Sequence, residues 1–146
     1  MMETIRRVIS ERIAANSLLG ILSLVTVFHL FVLMGIIPFE IVWGGRLEST
    51  DQMIVFESVS LLVNIIMILV VMLHKGHFKV RADQRITTVV LWFMTILFLI
   101  NTVGNLLSTN QTEKIIFTPL TAILCVFCFR LAIGRKDTVS TVESEL

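Results

Sequence analysis

Four long apolar runs, roughly residues 18–37, 53–73, 86–107 and 115–133, occupy most of this 146-residue chain. A helix needs about 20 predominantly apolar residues to cross the hydrocarbon layer of a bilayer, and each run is close to that length. Lipid offers no hydrogen bonds to the backbone, so such segments must be helices that satisfy their own N–H and C=O groups. The expected fold class is therefore all-α, an integral membrane four-helix bundle. Composition agrees: 55% of residues are hydrophobic and 16% charged, where soluble domains carry about 25% charged residues. The mean hydropathy is +0.90.

The spanning domain is expected over residues 18–133. Before it lies a basic head, residues 1–17, in which Ile5, Val8, Ile9 and Ile13 recur at helical spacing, as in a short amphipathic helix on a membrane surface. After it lies a polar, acidic tail, residues 134–146, with no sustained period and expected to be disordered. The first run is longer than the apolar core of a signal peptide and no small-x-small cleavage site follows it, so it reads as a permanent span. Ser49-Thr50-Asp51-Gln52 has the spacing of a capping box before the second run, and Asn110 followed by Glu113 could start the fourth.

Charge sets the expected orientation. Arg6, Arg7, Arg12, Lys75, Lys79, Arg81, Arg85, Arg130, Arg135 and Lys136 fall on one side of a four-span topology, and Arg46 and Lys114 on the other. An excess of Lys and Arg on short loops marks the cytoplasmic face, so both termini are expected to be cytoplasmic. Residues 38–52 and 108–114 then face outward.

Polar residues inside the runs carry the chemistry, because each is costly in lipid and should face a protein interior or a wet cavity. At about 100° per residue, Glu57, Ser60 and Asn64 share one face of the second run. Thr88, Thr95 and Thr102 share one face of the third, extended by Asn101 and Asn105, and Thr118, Thr121, Cys125, Cys128 and Ala132 form a stripe on the fourth. The first run is less tidy, with Asn16, Ser23 and Thr26 close together and His29 toward their edge. Small and weakly polar stripes of this kind are also the ordinary packing surface between membrane helices. Glu57 and the two asparagines fit that plain reading less well, and they share one depth near the outward end.

The outward connection adds Pro38, which ends or kinks a helix, the opposite charges of Glu40 and Arg46, an interfacial Trp43 and a Gly44-Gly45 turn. Folded back over the bundle, it would set Arg46 near Glu57 or an anionic ligand. Cys125-Val-Phe-Cys128 has the C-x-x-C spacing of four-helix membrane thiol oxidoreductases such as the vitamin K epoxide reductases. Those enzymes relay electrons through a second cysteine pair, and this chain has two cysteines in all. His29, His74 and His77 form no tight ligand cluster, and His74 and His77 are expected at the cytoplasmic lipid surface beside Lys75 and Lys79. No metal, cofactor or nucleic acid is expected. At Ile41–Leu47, Phe56–Ser60, Asn101–Asn105 and Thr118–Thr121 the chain resembles small four-span bacterial membrane proteins of unassigned function. The resemblance covers nearly the whole chain and implies an inner-membrane location, with no activity attached.

The leading expectation is binding or transport of a small polar or amphiphilic ligand in an outward-opening pocket. Glu57, Asn101, Asn105, Arg46, Asn64 and Thr118 are expected to line it, with Trp43 and Glu40 from the connection. A second reading is an intramembrane enzyme with Glu57 as acid or base, and a third a non-catalytic subunit whose stripes only pack helices. Expected partners are membrane lipids, with either a homo-oligomer or a larger membrane protein completing the assembly.

Overall fold

The computed structural model describes residues 2–43, 46–76, 83–108, 111 and 113–134. Gly44, Gly45, His77, Lys79, Arg81, Asn110 and the acidic tail from residue 135 lie outside them. The chain runs through α1 (Met2–Val8), α2 (Glu11–Leu33), a 3-10 turn (Phe39–Ile41), α3 (Thr50–His74), α4 (Gln84–Leu106), a wide π turn (Glu113–Phe117) and α5 (Thr118–Ala132). No strand occurs among the described residues. Four segments, Glu11–Leu33, Thr50–His74, Gln84–Leu106 and Lys114–Ala132, are long and apolar enough to cross a membrane.

Local chemistry sets the helix ends. The head is not one helix: α1 stops at Val8, and Ser10 caps α2, its Oγ accepting the Ile13 N–H at 3.2 Å. The first span therefore begins well before its apolar run, and it ends at Leu33, before Pro38. The cause is Gly35, whose φ of +72° only a residue without Cβ adopts cheaply. There the N–H groups of Gly35 and Ile36 turn back to the carbonyls of Val32 and Phe31, closing a Schellman motif. Ser49 caps α3 as its spacing predicts, accepting the Gln52 N–H at 3.3 Å, while Gln52 Oε1 accepts the Glu48 N–H at 2.9 Å. At the start of the fourth span, Pro119 lacks an N–H and its ring would strike the carbonyl four residues earlier. The chain accommodates it by winding wide over Glu113–Phe117 before regular helix resumes.

Each long helix packs on its neighbour in sequence and α5 returns against α2, closing a ring; packing is tightest within the hairpins α2–α3 and α4–α5. The central core joins Leu18, Leu22, Val71, Leu91, Met94, Leu124 and Leu131, with Ala14, Ala15, Cys128 and Ala132 letting α2 and α5 approach closely. A second cluster, Val32, Val42, Leu47 and Met53, forms under the α2–α3 connection, which does fold back over that end of the bundle. Leu24, Val59, Phe93 and Ile96 remain exposed on the outer faces, as a chain dissolved in lipid requires.

At the opposite end, His74 departs from its expected place and Arg130 is enclosed. His74 is not at the lipid surface: its ring is buried, with Nδ1 3.4 Å from Thr87 Oγ1 and Nε2 3.6 Å from Glu11 Oε1. Arg130 is buried rather than splayed into headgroups, and its Nε donates to the Ile9 carbonyl at 2.6 Å. Burial of Arg130 follows from α1, which turns back over the end of α5, with Arg6 donating to the Ile133 carbonyl, whereas His74 is enclosed by Glu11 of α2 and Thr87 of α4.

Candidate functional site

Among the described Asp, Glu, Lys, Arg and His residues Glu57 is the most deeply buried, at 1% exposure. It stands two turns into α3, about 10 Å along the axis from the helix start at 1.5 Å per residue. A carboxylate at that depth needs donors on both oxygens, and it has them. His29 Nδ1 lies 2.5 Å from Oε2, and the indole Nε1–H of Trp43 donates to Oε1 at 2.8 Å. Because a carboxylate only accepts, the ring hydrogen of His29 is assigned to Nδ1. Its Nε2 has no hydrogen-bond partner among the described residues.

Three elements deliver these groups. In the antiparallel α2–α3 hairpin the last turns of α2 lie beside the first turns of α3. Asn64 donates to the Leu22 carbonyl at 2.8 Å and to Thr26 Oγ1 at 2.6 Å, which locks the register. One turn along α2 from Thr26, and two turns back along α3 from Asn64, His29 meets Glu57. Trp43 arrives from the connection with φ +56°, a conformation costing a bulky residue about 1–3 kcal/mol. A hydrogen bond to a charged acceptor contributes about 1.5–3 kcal/mol, enough to hold it. The indole also packs edge-on against Phe56, centroids 5.2 Å apart.

This triad forms part of the wall of a cavity of about 400 Å³ between the four long helices, in the half of the bundle under the α2–α3 connection. That volume is within the range of small-molecule sites. Phe28, Val63, Leu97, Phe98, Phe117 and Leu124 make most of the wall apolar, and Arg46, Ser60, Asn64, Asn101, Asn105 and Thr121 add polar groups. Phe28 and Phe117 meet edge to face at 5.5 Å and brace the α2–α5 side. Among the described residues Arg46 forms no ion pair with Glu57 or Glu40, so its charge is unmatched at the cavity wall.

Six of the eight expected site residues, Glu57, Asn101, Asn105, Arg46, Asn64 and Trp43, line this cavity. Glu40 and Thr118 do not: Glu40 is exposed in the 3-10 turn, and the buried Thr118 hydroxyl has no partner among the described residues. Neither asparagine reaches Glu57 directly. Asn105 donates to Thr121 Oγ1 at 3.4 Å and Asn101 is exposed at the α3–α4 side. The partner that sequence reasoning did not connect to Glu57 is His29. Its signal was its position one turn from the end of the first span, the level an antiparallel neighbour brings opposite Glu57.

The threonine stripes have the plainer role. Thr102 donates to Thr121 Oγ1 at 3.0 Å across the α4–α5 seam, and Cys125 Sγ donates to the Thr95 carbonyl at 3.4 Å. Cys125 and Cys128 are free thiols, the second fully buried. Comparison with protein-family models, curated proteins and solved structures finds no match to this chain.

Proposed function

We propose that this chain is a multi-pass protein of a bacterial inner membrane, both termini cytoplasmic, that binds or transports an amphiphilic small molecule within its outward half. The observation that carries the reading is the fully buried Glu57, fixed by His29 and Trp43 at the wall of a cavity of about 400 Å³ that is mostly apolar. A membrane chain that needed only to pack its helices would gain nothing from a carboxylate at this depth, since insertion scales place the cost of an acidic residue at about 2.5–3.5 kcal/mol at the centre of a span. His29 Nε2 offers an acceptor, and the Arg46 guanidinium a donor, for a polar head. The apolar wall suits a tail, and Val63, Ile100 and Asn101, exposed on the α3–α4 side, leave that side open to lipid. The orientation rests on the ten-to-two division of Lys and Arg between the two faces.

The test titrates purified protein in nanodiscs with alkyl amphiphiles bearing carboxylate, phosphate or amine heads. The readout is Trp43 fluorescence in a Trp92→Phe background. A saturable change with at least one head, abolished by Glu57→Gln and by His29→Ala, is the expected result. Absence of saturable binding for every head, or binding indifferent to Glu57→Gln, refutes the reading. One observation favours a second reading: an imidazole held at Nδ1 by a buried carboxylate, with Nε2 free, is the arrangement general-base catalysis uses. Turnover of a lipid ester lost in both variants would select it.

A further inference from the structure

At the other end of the bundle, Arg6 and Arg130 are interlocked. Arg6 Nη2 donates to the carbonyl of Ile133, three residues beyond Arg130, and Arg130 Nε donates to the carbonyl of Ile9, three residues beyond Arg6. The exchange staples α1 onto the end of α5 but uses only part of each guanidinium. Arg6 Nε and Arg130 Nη1 are buried with no hydrogen-bond partner, and among the described residues neither arginine is in an ion pair. Both guanidiniums are thus pinned to one staple, each with a buried N–H that no described group accepts. From Ile9 an open groove of about 310 Å³ runs along the outer face of α5, lined by Ile9, Ala122, Ile123, Val126 and Phe127, with no polar atom in its lining. Arg130 stands one turn beyond Val126 and Phe127 on the same helix, and its Nε bonds the carbonyl of Ile9, itself part of the groove wall.

We propose that this is a binding site for one anionic phospholipid. Its phosphate lies against Arg6 and Arg130, whose guanidinium geometry suits phosphate oxygens, and an acyl chain lies in the groove toward the bilayer centre. A zwitterionic lipid fits the groove equally well but brings a compensating cation to the arginines, so the site discriminates by net head charge. The occupant supplies an anion to the two arginines and covers apolar wall, and thereby holds α1 on the bundle.

The experiment is native mass spectrometry of the full chain released from mild detergent after addition of phosphatidylglycerol or phosphatidylcholine with matched acyl chains. Arg130→Gln is avoided because Arg130 also carries the Ile9 carbonyl. Arg6→Gln keeps an N–H for Ile133, and Ala122→Phe fills the groove without touching either guanidinium. The expected result is one tightly retained phosphatidylglycerol on the wild type and preference over phosphatidylcholine reduced roughly fivefold in Arg6→Gln. Ala122→Phe should lose both lipids. Equal retention of the two lipids by the wild type overturns the proposal, as does retention unchanged in both variants. A shift from dimer to monomer in Ala122→Phe with lipid retention unchanged would instead assign the groove to a second copy of the chain and overturn it equally.

Discussion

Removing the His29 imidazole should be more damaging than removing the Glu57 charge, and the two changes together should cost much less than their sum. Glu57 is sealed at 1% exposure and each of its oxygens has one partner, so His29→Ala leaves Oε2 facing apolar wall with no donor. Stranding a buried charge by removing its hydrogen-bond partner typically costs about 3–5 kcal/mol. The lower end applies here, because the His29 side chain is 17% exposed and borders the cavity. Glu57→Gln retains the volume and an oxygen to accept from Trp43, and it removes the charge that demanded a partner; a loss of about 1–2 kcal/mol is expected. In the double variant no charge is stranded, so the coupling energy should be about 1.5–3 kcal/mol. Reversible unfolding in mixed micelles, followed by circular dichroism for the four proteins, measures the cycle. Single losses that add to within about 0.5 kcal/mol, or a Glu57→Gln loss exceeding that of His29→Ala, would show that the pair is not the buried unit inferred from its geometry.

The other expectations are separable from that one. Trp43→Phe deletes one donor to a charged acceptor and should lower stability by about 1.5–3 kcal/mol in the same unfolding assay; a change below about 0.5 kcal/mol, the usual additivity error, would place the indole outside the site. Asn64→Leu removes two hydrogen bonds between α2 and α3 and should cost about 1–2 kcal/mol, since such bonds average about 0.6 kcal/mol in membranes; a stabilised variant would mean that register is set elsewhere. In a background lacking Cys125 and Cys128, a membrane-impermeant maleimide applied to intact cells should label Glu48→Cys and spare Gln84→Cys, and the reverse pattern inverts the topology. Replacing both native cysteines by alanine should leave amphiphile binding unchanged, because Cys128 is fully buried and Cys125 is spent on the Thr95 carbonyl; loss of binding would return these thiols to the site.

Helix number and approximate span limits were legible because hydropathy over about 20 residues is a coarse property that no single contact overrides. Glu57, Asn64 and Asn105 were legible as inward-facing because a polar group in an apolar helix has few other directions to point. The pairings were not. Rotation of each helix depends on its neighbours, and Asn101, matched to Glu57 by depth, borders the cavity as an exposed residue while His29 takes the carboxylate. The burial of Arg130 was equally hidden, since it depends on α1 folding back 121 residues away in sequence, and a basic residue at a span end reads by default as a headgroup anchor. The early end of α2 was available in Gly35, but Pro38 is the louder signal and drew the boundary outward.

The same polar groups account for where the bundle is closed and where it opens. Apolar surfaces in lipid have no preference for each other over acyl chains, so packing shape and hydrogen bonds decide which helices stay together. Along α2–α3 the bonds of Asn64 and His29 pin the seam, and along α4–α5 those of Thr102, Asn105 and Cys125 do so. Between α3 and α4, among the described residues, the one side-chain hydrogen bond is His74 to Thr87, at the end remote from the cavity. The half of that seam beside Glu57 is held by no side-chain hydrogen bond, and it is there that Val63 and Ile100, both part of the cavity wall, are exposed to lipid. This unbonded half of the α3–α4 seam borders the internal space, and a tail entering from the bilayer would part α3 from α4 without breaking any of the bonds that fix Glu57.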